Sequence, residues 1–462
     1  MATTPTDDEA EIEQLAGTLR GELTQPGDPE FDEARSVYNA MIDKHPGLIA
    51  RCANVADVIE AVTFGRDHGL ETAIRSGGHN TPGLGTVDDG LVIDLSEMTG
   101  IRVDLEARTV HVEPGCTWGD VDHATHTFGL ATVSGVISTT GVGGLTVGGG
   151  HGYLTRKYGL TIDNLLSADV VLADGRLVHA SEDENADLFW ALRGGGGNFG
   201  VVTSFEFQLH PVETVVAGPL FWAIDDLEDT MRWYREWLPE QPEDVYAFYL
   251  TAEVPGEPFP EELHGEKVCG LIWCYLGAED QAEEVIQPAR DVAEPLFEHV
   301  GPMPYPALQS MFDDLYPPGD QHYWKGDFVH ELTDEAIAEH QRFGEVPTTK
   351  SSMHLYPIDG AVHDADEEET AWSMRDATYS MVIVGVDPDP ANSESITEWV
   401  RDYWEAVHPH TVGGSYVNFM MDEGEDRVRD SYGDNYERLR EIKATYDPDN
   451  FFRVNQNIEP AG

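Results

Sequence analysis

The sequence predicts an α+β fold in two parts, and three observations lead there. At 462 residues the chain exceeds what one core ordinarily holds, so two domains are expected. Glycine is dense up to about residue 212 and thins sharply beyond it. From about 213 to 410, strand-like runs such as "VYAFYLTAEV", "VCGLIWCYLG", "SSMHLYPI" and "TYSMVIVGV" alternate with acidic helical stretches such as "DLEDTMRWYREWL" and "AEEVIQPARDVAEPLF". That pattern reads as an antiparallel sheet flanked by helices. The expected boundaries are 1–212 for a glycine-rich binding domain with its core over 43–212, 213–412 for the inserted sheet domain, and 413–462 for a segment that returns to the first domain.

Taken in order, "NVADVIEAVTFGRDHGL" (54–70) has helical spacing behind an Asn cap. "ETAIRSGGHN" is a short strand running into a glycine turn. "GLVIDLSEM" and "TVHVEPG" alternate like strands, and "DVDHATHTFGL" is helical. "NLLSADVVLADGRLVHA" reads as two strands joined at Asp-Gly, and "ADLFWALRGGGGNFGVVTSFEFQL" as a helix, four glycines and a strand. The tail "YERLREIKATYDPDNFFRVNQNI" is a helix, a proline turn and an extended segment.

Composition narrows the partners. Asp and Glu number 86 against 27 Lys and Arg, a net charge of −59, which repels a phosphate backbone and disfavours nucleic acid. Only six lysines occur, and the carboxylates are spread along the chain. Such a surface resembles that of proteins from salt-loving archaea, and predicts a need for salt, since at molar ionic strength the Debye length falls to about 3 Å. No apolar run approaches the ~18 residues of a membrane span. The N-terminal "MATTPTDDEAEIEQ" lacks the basic start and apolar stretch of an export signal, so a cytoplasmic location is expected. Cys52, Cys116, Cys269 and Cys274 form no CxxC pair, so neither a zinc site nor a disulfide framework is expected; Cys269 and Cys274 read as core.

Seven glycines fall between 141 and 152, in "GVGGLTVGGGHG". Each costs about 1 kcal/mol against Ala within a helix, so the run is a poor helix or strand. It suits backbone that passes close to a large flat or charged ligand, and successive N–H groups there cradle a diphosphate without Lys or Arg. A nicotinamide-type fingerprint is disfavoured because Thr146 stands where a third glycine belongs. "RGGGGNFG" is no Walker loop, lacking Gly-Lys-Ser/Thr.

Four stretches, "IRSGGHN", "GVGGLTVGGGHGYLTRKYGLTIDN", "LFWALRGGGGNFGVVTSFEF" and "YDPDNFFRVNQNI", together resemble the berberine-bridge-enzyme-like flavoproteins of the vanillyl-alcohol-oxidase superfamily, in order and across nearly the whole chain. The resemblance implies a two-part FAD-binding domain of PCMH type with the substrate domain inserted before the C-terminal return. It implies a small-molecule substrate and an FAD-linked oxidoreductase, in the first reading an oxidase that reduces O2 to H2O2, with a dehydrogenase left open. It also implies one covalent bond from the His79 imidazole to the flavin 8α-methyl, with Arg75, Ser76, Gly77, Gly78 and Asn80 as diphosphate contacts. Gly83, Thr140, Gly141, Gly143 and Gly144 are expected to extend the FAD wall. So are Gly148, Gly149, Gly150, Val201 and the Asn455–Gln456 segment. Ile137 stands where some relatives carry a second, cysteinyl link, so a single bond is expected. Thr140 stands where an apolar side chain often controls oxygen access.

Hydride transfer to a flavin leaves a proton to be removed from the substrate. His151 is one candidate, as a base with a pKa near neutrality or as a polar pocket wall. Tyr432 is another, as a phenol lowered by nearby positive charge or as a packing residue. Tyr153 and Tyr379 are further candidates, and Lys325 could stabilise a phenolate or bind an acidic substrate. Ser380 and Val382 stand where the alkaloid-cyclising relatives place a sheet base, which argues against that chemistry. Three readings remain open at the level of sequence: oxidation of a secondary or hemiacetal alcohol of a sugar, phenolic or similar compound; amine oxidation of the hydroxynicotine-oxidase type; and flavin binding without turnover.

Overall fold

Alternation along the middle of the chain decides which residues can reach a ligand. The computed structural model describes residues 5–462; residues 1–4, the start of the N-terminal stretch read above, lie outside the described residues. Strand Thr214–Ala223 pairs antiparallel with Lys267–Tyr275, followed by Val245–Glu253, Ser352–Pro357, Tyr379–Asp387 and Gln321–Val329. Two short strands, Phe297–Glu298 and Gly301–Pro304, pair with Thr214–Ala223 and complete an eight-stranded sheet. Successive side chains on a strand point to opposite faces. Leu220, Trp222, Tyr249, Trp273, Leu355 and Ile383 occupy one face and pack against helices Leu227–Trp237, Asp334–Phe343 and Ser393–Val407. The first of these helices buries Leu227, Thr230, Met231, Tyr234 and Trp237, the i, i+3, i+4 spacing of an amphipathic helix. The opposite face of the sheet looks into a cavity.

The glycine-rich part holds two smaller sheets. One orders Glu22–Thr24, Leu48–Arg51, Leu91–Asp94 and Thr72–Arg75, with the last three parallel. The other is a five-stranded antiparallel sheet of Ile101–Asp104, Thr109–Val112, Val201–Gln208, Leu165–Val171 and Leu177–Ser181. Helix Val55–Asp67 starts as expected, the Asn54 side chain accepting from the Ala56 and Asp57 N–H groups. The reading of the 141–152 run as unfit for a helix is corrected: Val142–Val147 is helical. Proximity outweighs propensity there, because a Cβ at Gly143 would lie 3.1 Å from the Ser76 side chain. The helix read through "AEPLF" also ends earlier, at Val292, and Phe297–Glu298 is a strand.

The C-terminal return closes the first part. Tyr436, Leu439 and Ile442 of helix Tyr436–Tyr446 share a core with Leu188, Phe199 and Phe205. The fully buried Lys443 ammonium donates to the Asn198 carbonyl (2.6 Å), the Phe452 carbonyl (2.8 Å) and Asp447 (2.6 Å). Residues beyond the helix join no sheet among the described residues. Among the described residues no helix is long and apolar enough to cross a membrane, and no group of three or more His, Cys, Asp or Glu is placed to hold a metal ion.

Candidate active site

A cavity of about 960 Å³ lies between the glycine loops and the open face of the eight-stranded sheet. On the loop side, strand Thr72–Arg75 delivers Ser76–Asn80 to the wall. Gly77 and Gly141 stand back to back: a Cβ on Gly77 would lie 2.6 Å from the Gly141 Cα, and one on Gly141 would lie 2.5 Å from the Gly77 nitrogen. No side chain fits at either position, so the two loops present bare backbone. Thr140, Gly141, Gly143 and Gly144 continue this wall, and Asn455 and Gln456 line it from the C-terminal return.

His79 sits at the centre of the loop wall. Its ring stacks on Tyr38, centroids 3.8 Å apart, and its buried Nε2 has no hydrogen-bond partner. Burial, with a smaller contribution from nearby His322, pushes its pKa down to about 4, so the imidazole is neutral. A buried, neutral, unpartnered ring nitrogen beside a side-chain-free cradle fits a bound FAD. The orphaned atom asks for a partner, and the cradle asks for a flat or phosphorylated group.

Several expected wall residues are placed elsewhere. Arg75 borders the cavity, but its guanidinium donates to Asp94 (2.7 Å) and to the Ala34 carbonyl (2.5 Å), so it is not a free diphosphate contact. The Asn80 side chain accepts the Leu84 N–H (2.9 Å) and shapes its own loop. Gly83 abuts Ile42, Gly148 abuts Asn418, Gly149 abuts Trp372 and Gly150 abuts Thr161; none of these four glycines is on the cavity wall. Val201 is buried in the core beneath the parallel strands, while its neighbours Gly200 and Val202 reach the cavity.

The proton-handling candidates divide by strand parity. On Tyr379–Asp387, Ser380 and Val382 face the cavity side, so Tyr379 faces the helices, packed on Tyr234. On Gln321–Val329, His322 and Trp324 line the cavity; Lys325 sits opposite Ile383 on the far face, ion-paired to Glu423 and over the Trp404 ring. Tyr379 and Lys325 are therefore corrected as catalytic candidates. Tyr153 is also off the wall, fully buried between Tyr246 and Phe248.

Tyr432 and His151 do line the cavity. The Tyr432 hydroxyl is buried without a partner near Gly196, and burial raises its pKa with no cation nearby to lower it. The expectation of a lowered phenol is overturned. His151 approaches Ser380 through Nε2 (3.1 Å), within a ring of Tyr416, Tyr356 and Phe419. Burial pushes its pKa down to about 3, not toward neutrality. Sequence reasoning missed Tyr38, His322, Tyr416 and the pair His354–Tyr356, all on the wall. The signal for the pair was present: in "SSMHLYPI" the polar His354 and Tyr356 alternate with Met353 and Leu355 inside an otherwise buried strand.

Comparison with known proteins agrees with this geometry. Residues 46–181 match the family described as FAD binding domain, and residues 415–459 match Berberine and berberine like. An FAD-linked oxidoreductase of Dictyostelium discoideum is 31% identical over 454 residues, covering 97% of each chain. The (R)-6-hydroxynicotine oxidase of Paenarthrobacter nicotinovorans is also 31% identical, over 96% of this chain and 98% of that one. The crystal structure of 6-hydroxy-D-nicotine oxidase from Arthrobacter nicotinovorans superposes with a TM-score of 0.86 at 27% identity, over 96% and 99% of the two chains. An FAD-binding α+β scaffold, a cavity walled by bare glycine backbone and full-length relatives above 30% identity lead to one assignment: the chain belongs to the berberine-bridge-enzyme-like FAD-linked oxidoreductases.

Proposed function

We propose that the protein is an FAD-dependent oxidase whose flavin is bonded to His79, and that it takes hydride from the carbon of a secondary or hemiacetal alcohol and passes the electrons to O2, giving H2O2. The observation that carries this reading is His79 itself, a buried neutral imidazole with an unpartnered Nε2 on the loop wall. When bound, FAD supplies the two-electron acceptor. The chain supplies everything around it. The loops of Ser76–Asn80 and Thr140–Gly144 offer backbone where a diphosphate must approach closely. Ser380 orients His151, which keeps Nδ1 buried and unpartnered. Tyr416 accepts from the Gly150 N–H (3.0 Å) and from Asn418 Nδ2 (2.7 Å), leaving its own proton to donate into the cavity. No ionised phenol stands ready, so the substrate proton goes to a neutral imidazole, either directly to His151 or to His354 through the Tyr356 hydroxyl, which passes its own proton to Nδ1 as it accepts. None of the four cysteines lines the cavity, and Ile137 does, which supports a single flavin bond.

Acid denaturation followed by centrifugation tests the linkage. The expected result is a yellow pellet and a polypeptide mass increased by one FAD. A yellow supernatant over a chain of unshifted mass would overturn it. The likeness to a hydroxynicotine oxidase, in sequence and in structure, favours amine oxidation as the second reading. Anaerobic mixing with sugars, alcohols and amines separates the two by which class bleaches the flavin.

The net charge of −59 supports a salt requirement in the same protein. Thermal melts in molar and millimolar KCl test it, and an equal Tm in both would overturn it.

A further inference from the structure

We infer that the sheet side of the cavity is a receptor for an uncharged aromatic molecule bearing an O–H or N–H donor, and that Tyr356, backed by His354, accepts that donor. This rests on reading the cavity as the substrate site of an FAD enzyme, and it narrows that reading to an aromatic alcohol or amine in place of a sugar hemiacetal.

The wall chemistry comes first. Phe221, Phe248, Phe259, Phe297, Trp324 and Phe419 line the cavity, with Val382 and Val384 between them. Charge is confined to the edges. The one Arg or Lys on the lining among the described residues, Arg75, is held by Asp94, which leaves no cationic side chain on the sheet side to neutralise an anionic substrate. Of the acidic lining residues, Glu257 and Asp314 are exposed to solvent and Glu253 is paired with Lys267. An inner chamber of aromatic faces without a free charge matches a flat, neutral ring. It matches a sugar poorly, because most of a sugar's hydroxyls would lose water without gaining a partner there.

The polar exception fixes the donor requirement. His354 and Tyr356 lie two residues apart on one strand, on its cavity face, and the Tyr356 hydroxyl is 2.6 Å from His354 Nδ1. Burial raises the phenol pKa and pushes the imidazole down to about 3, so both groups are neutral. Of the two, the phenol is the stronger donor and the bare imidazole nitrogen the stronger acceptor, so the hydroxyl donates to Nδ1 and the imidazole carries its proton on Nε2. With its only proton engaged, Tyr356 presents a lone pair to the cavity and can accept but not donate. Its position is the right one. Tyr356 sits opposite Ser380 in the sheet, Ser380 approaches His151, and the Tyr356 and His151 rings are 5.3 Å apart. Tyr416, with a proton to donate, packs on the same His151 ring, centroids 4.8 Å apart. One acceptor and one donor thus adjoin His151 among aromatic side chains, a match for a ring carrying a single hydroxyl or amine.

The test uses the FAD-loaded enzyme after anaerobic reduction with dithionite, so that no turnover intervenes. Calorimetry measures the affinities of benzyl alcohol, benzyl methyl ether and cellobiose. Benzyl alcohol should bind about tenfold or more tightly than its methyl ether, since the ether leaves the Tyr356 lone pair unmatched, and cellobiose should bind most weakly. In Tyr356→Phe and in His354→Asn the preference for alcohol over ether should shrink to within about threefold, which a purely structural role would not produce. The inference is overturned if the ether binds as well as the alcohol, if the preference survives Tyr356→Phe, if cellobiose binds tightest, or if neither aromatic compound binds. Flavin content and the dithionite bleach are read in the same samples, so loss of FAD, which would count against the cofactor reading, is distinguished from failure of the receptor.

Discussion

The two walls of the cavity are made from different materials. The loop wall is mostly backbone: Gly77 and Gly141 touch so closely that neither accepts a single carbon, and two imidazoles, His79 and His151, are set among the glycines. The sheet wall is side chain: residues of six long strands, mostly alternate ones, project into the same space. The first arrangement dictates one ligand shape. The second holds the adjustable part of recognition.

The sharpest break in that contrast is steric. Gly77→Val or Gly141→Val should abolish FAD binding, because the new side chain must displace opposing backbone; absorbance of the purified protein reads this directly. His79→Ala should lose all covalent flavin while far-UV circular dichroism stays unchanged, with some FAD still held by the loops. Where the loop wall meets the sheet, the effects should be graded. His151→Ala should slow anaerobic flavin reduction by about 10²-fold, measured by stopped flow with whichever compound of the panel bleaches the flavin, and should weaken substrate binding much less.

A pH experiment probes the sheet wall through stability. His322 is fully buried, both ring nitrogens lack partners, and burial with nearby Lys350 pushes its pKa down to about 4. Its ordinary value is about 6.5. As pH falls below that, the unfolded chain takes up a proton that the folded chain refuses, so folded stability is lost progressively toward pH 4. His322→Phe removes this drain and should gain about 2 kcal/mol relative to the parent between pH 7 and pH 5 in denaturant titrations. The smallest effects belong to residues of the wrong parity. Lys325→Met and Tyr379→Phe should leave the flavin reduction rate within about twofold of the parent; a larger loss would mean the far face of the sheet takes part in the chemistry.

Legibility in the sequence follows the same division. The loop wall was readable because glycine has few reasons to cluster, and His79 stood within the cluster. Its limits were those of local reasoning: Gly148, Gly149 and Gly150 look like ligand contacts in a string, yet they yield space to Asn418 and Trp372, far along the chain, and to Thr161 in the next turn of structure. Arg75 likewise reads as a phosphate contact until Asp94, nineteen residues on, is found holding it. The sheet wall was readable only through alternation. Parity applied to "ATYSMVIV" and "HYWKGDF" separates Ser380 and Trp324 from Tyr379 and Lys325, but which parity faces the cavity is fixed by the helices on the other side. The pKa values of His151 and Tyr432 were out of reach, since both are set by burial that no local motif reports.

The buried Lys443 sets an order of events during synthesis. Its ammonium holds the Asn198 and Phe452 carbonyls together, and the Ile458 N–H donates to the Asn198 side chain, so the 195–198 turn is completed by residues translated some 250 positions later. Gly197, on the cavity wall, accepts from the Asn455 side chain (3.0 Å) and lacks that tie while the ribosome is still making the inserted sheet. On the proposed reading, stable capture of FAD waits for the C-terminal return, so bonding at His79 would follow completion of the chain despite that histidine's early place in it.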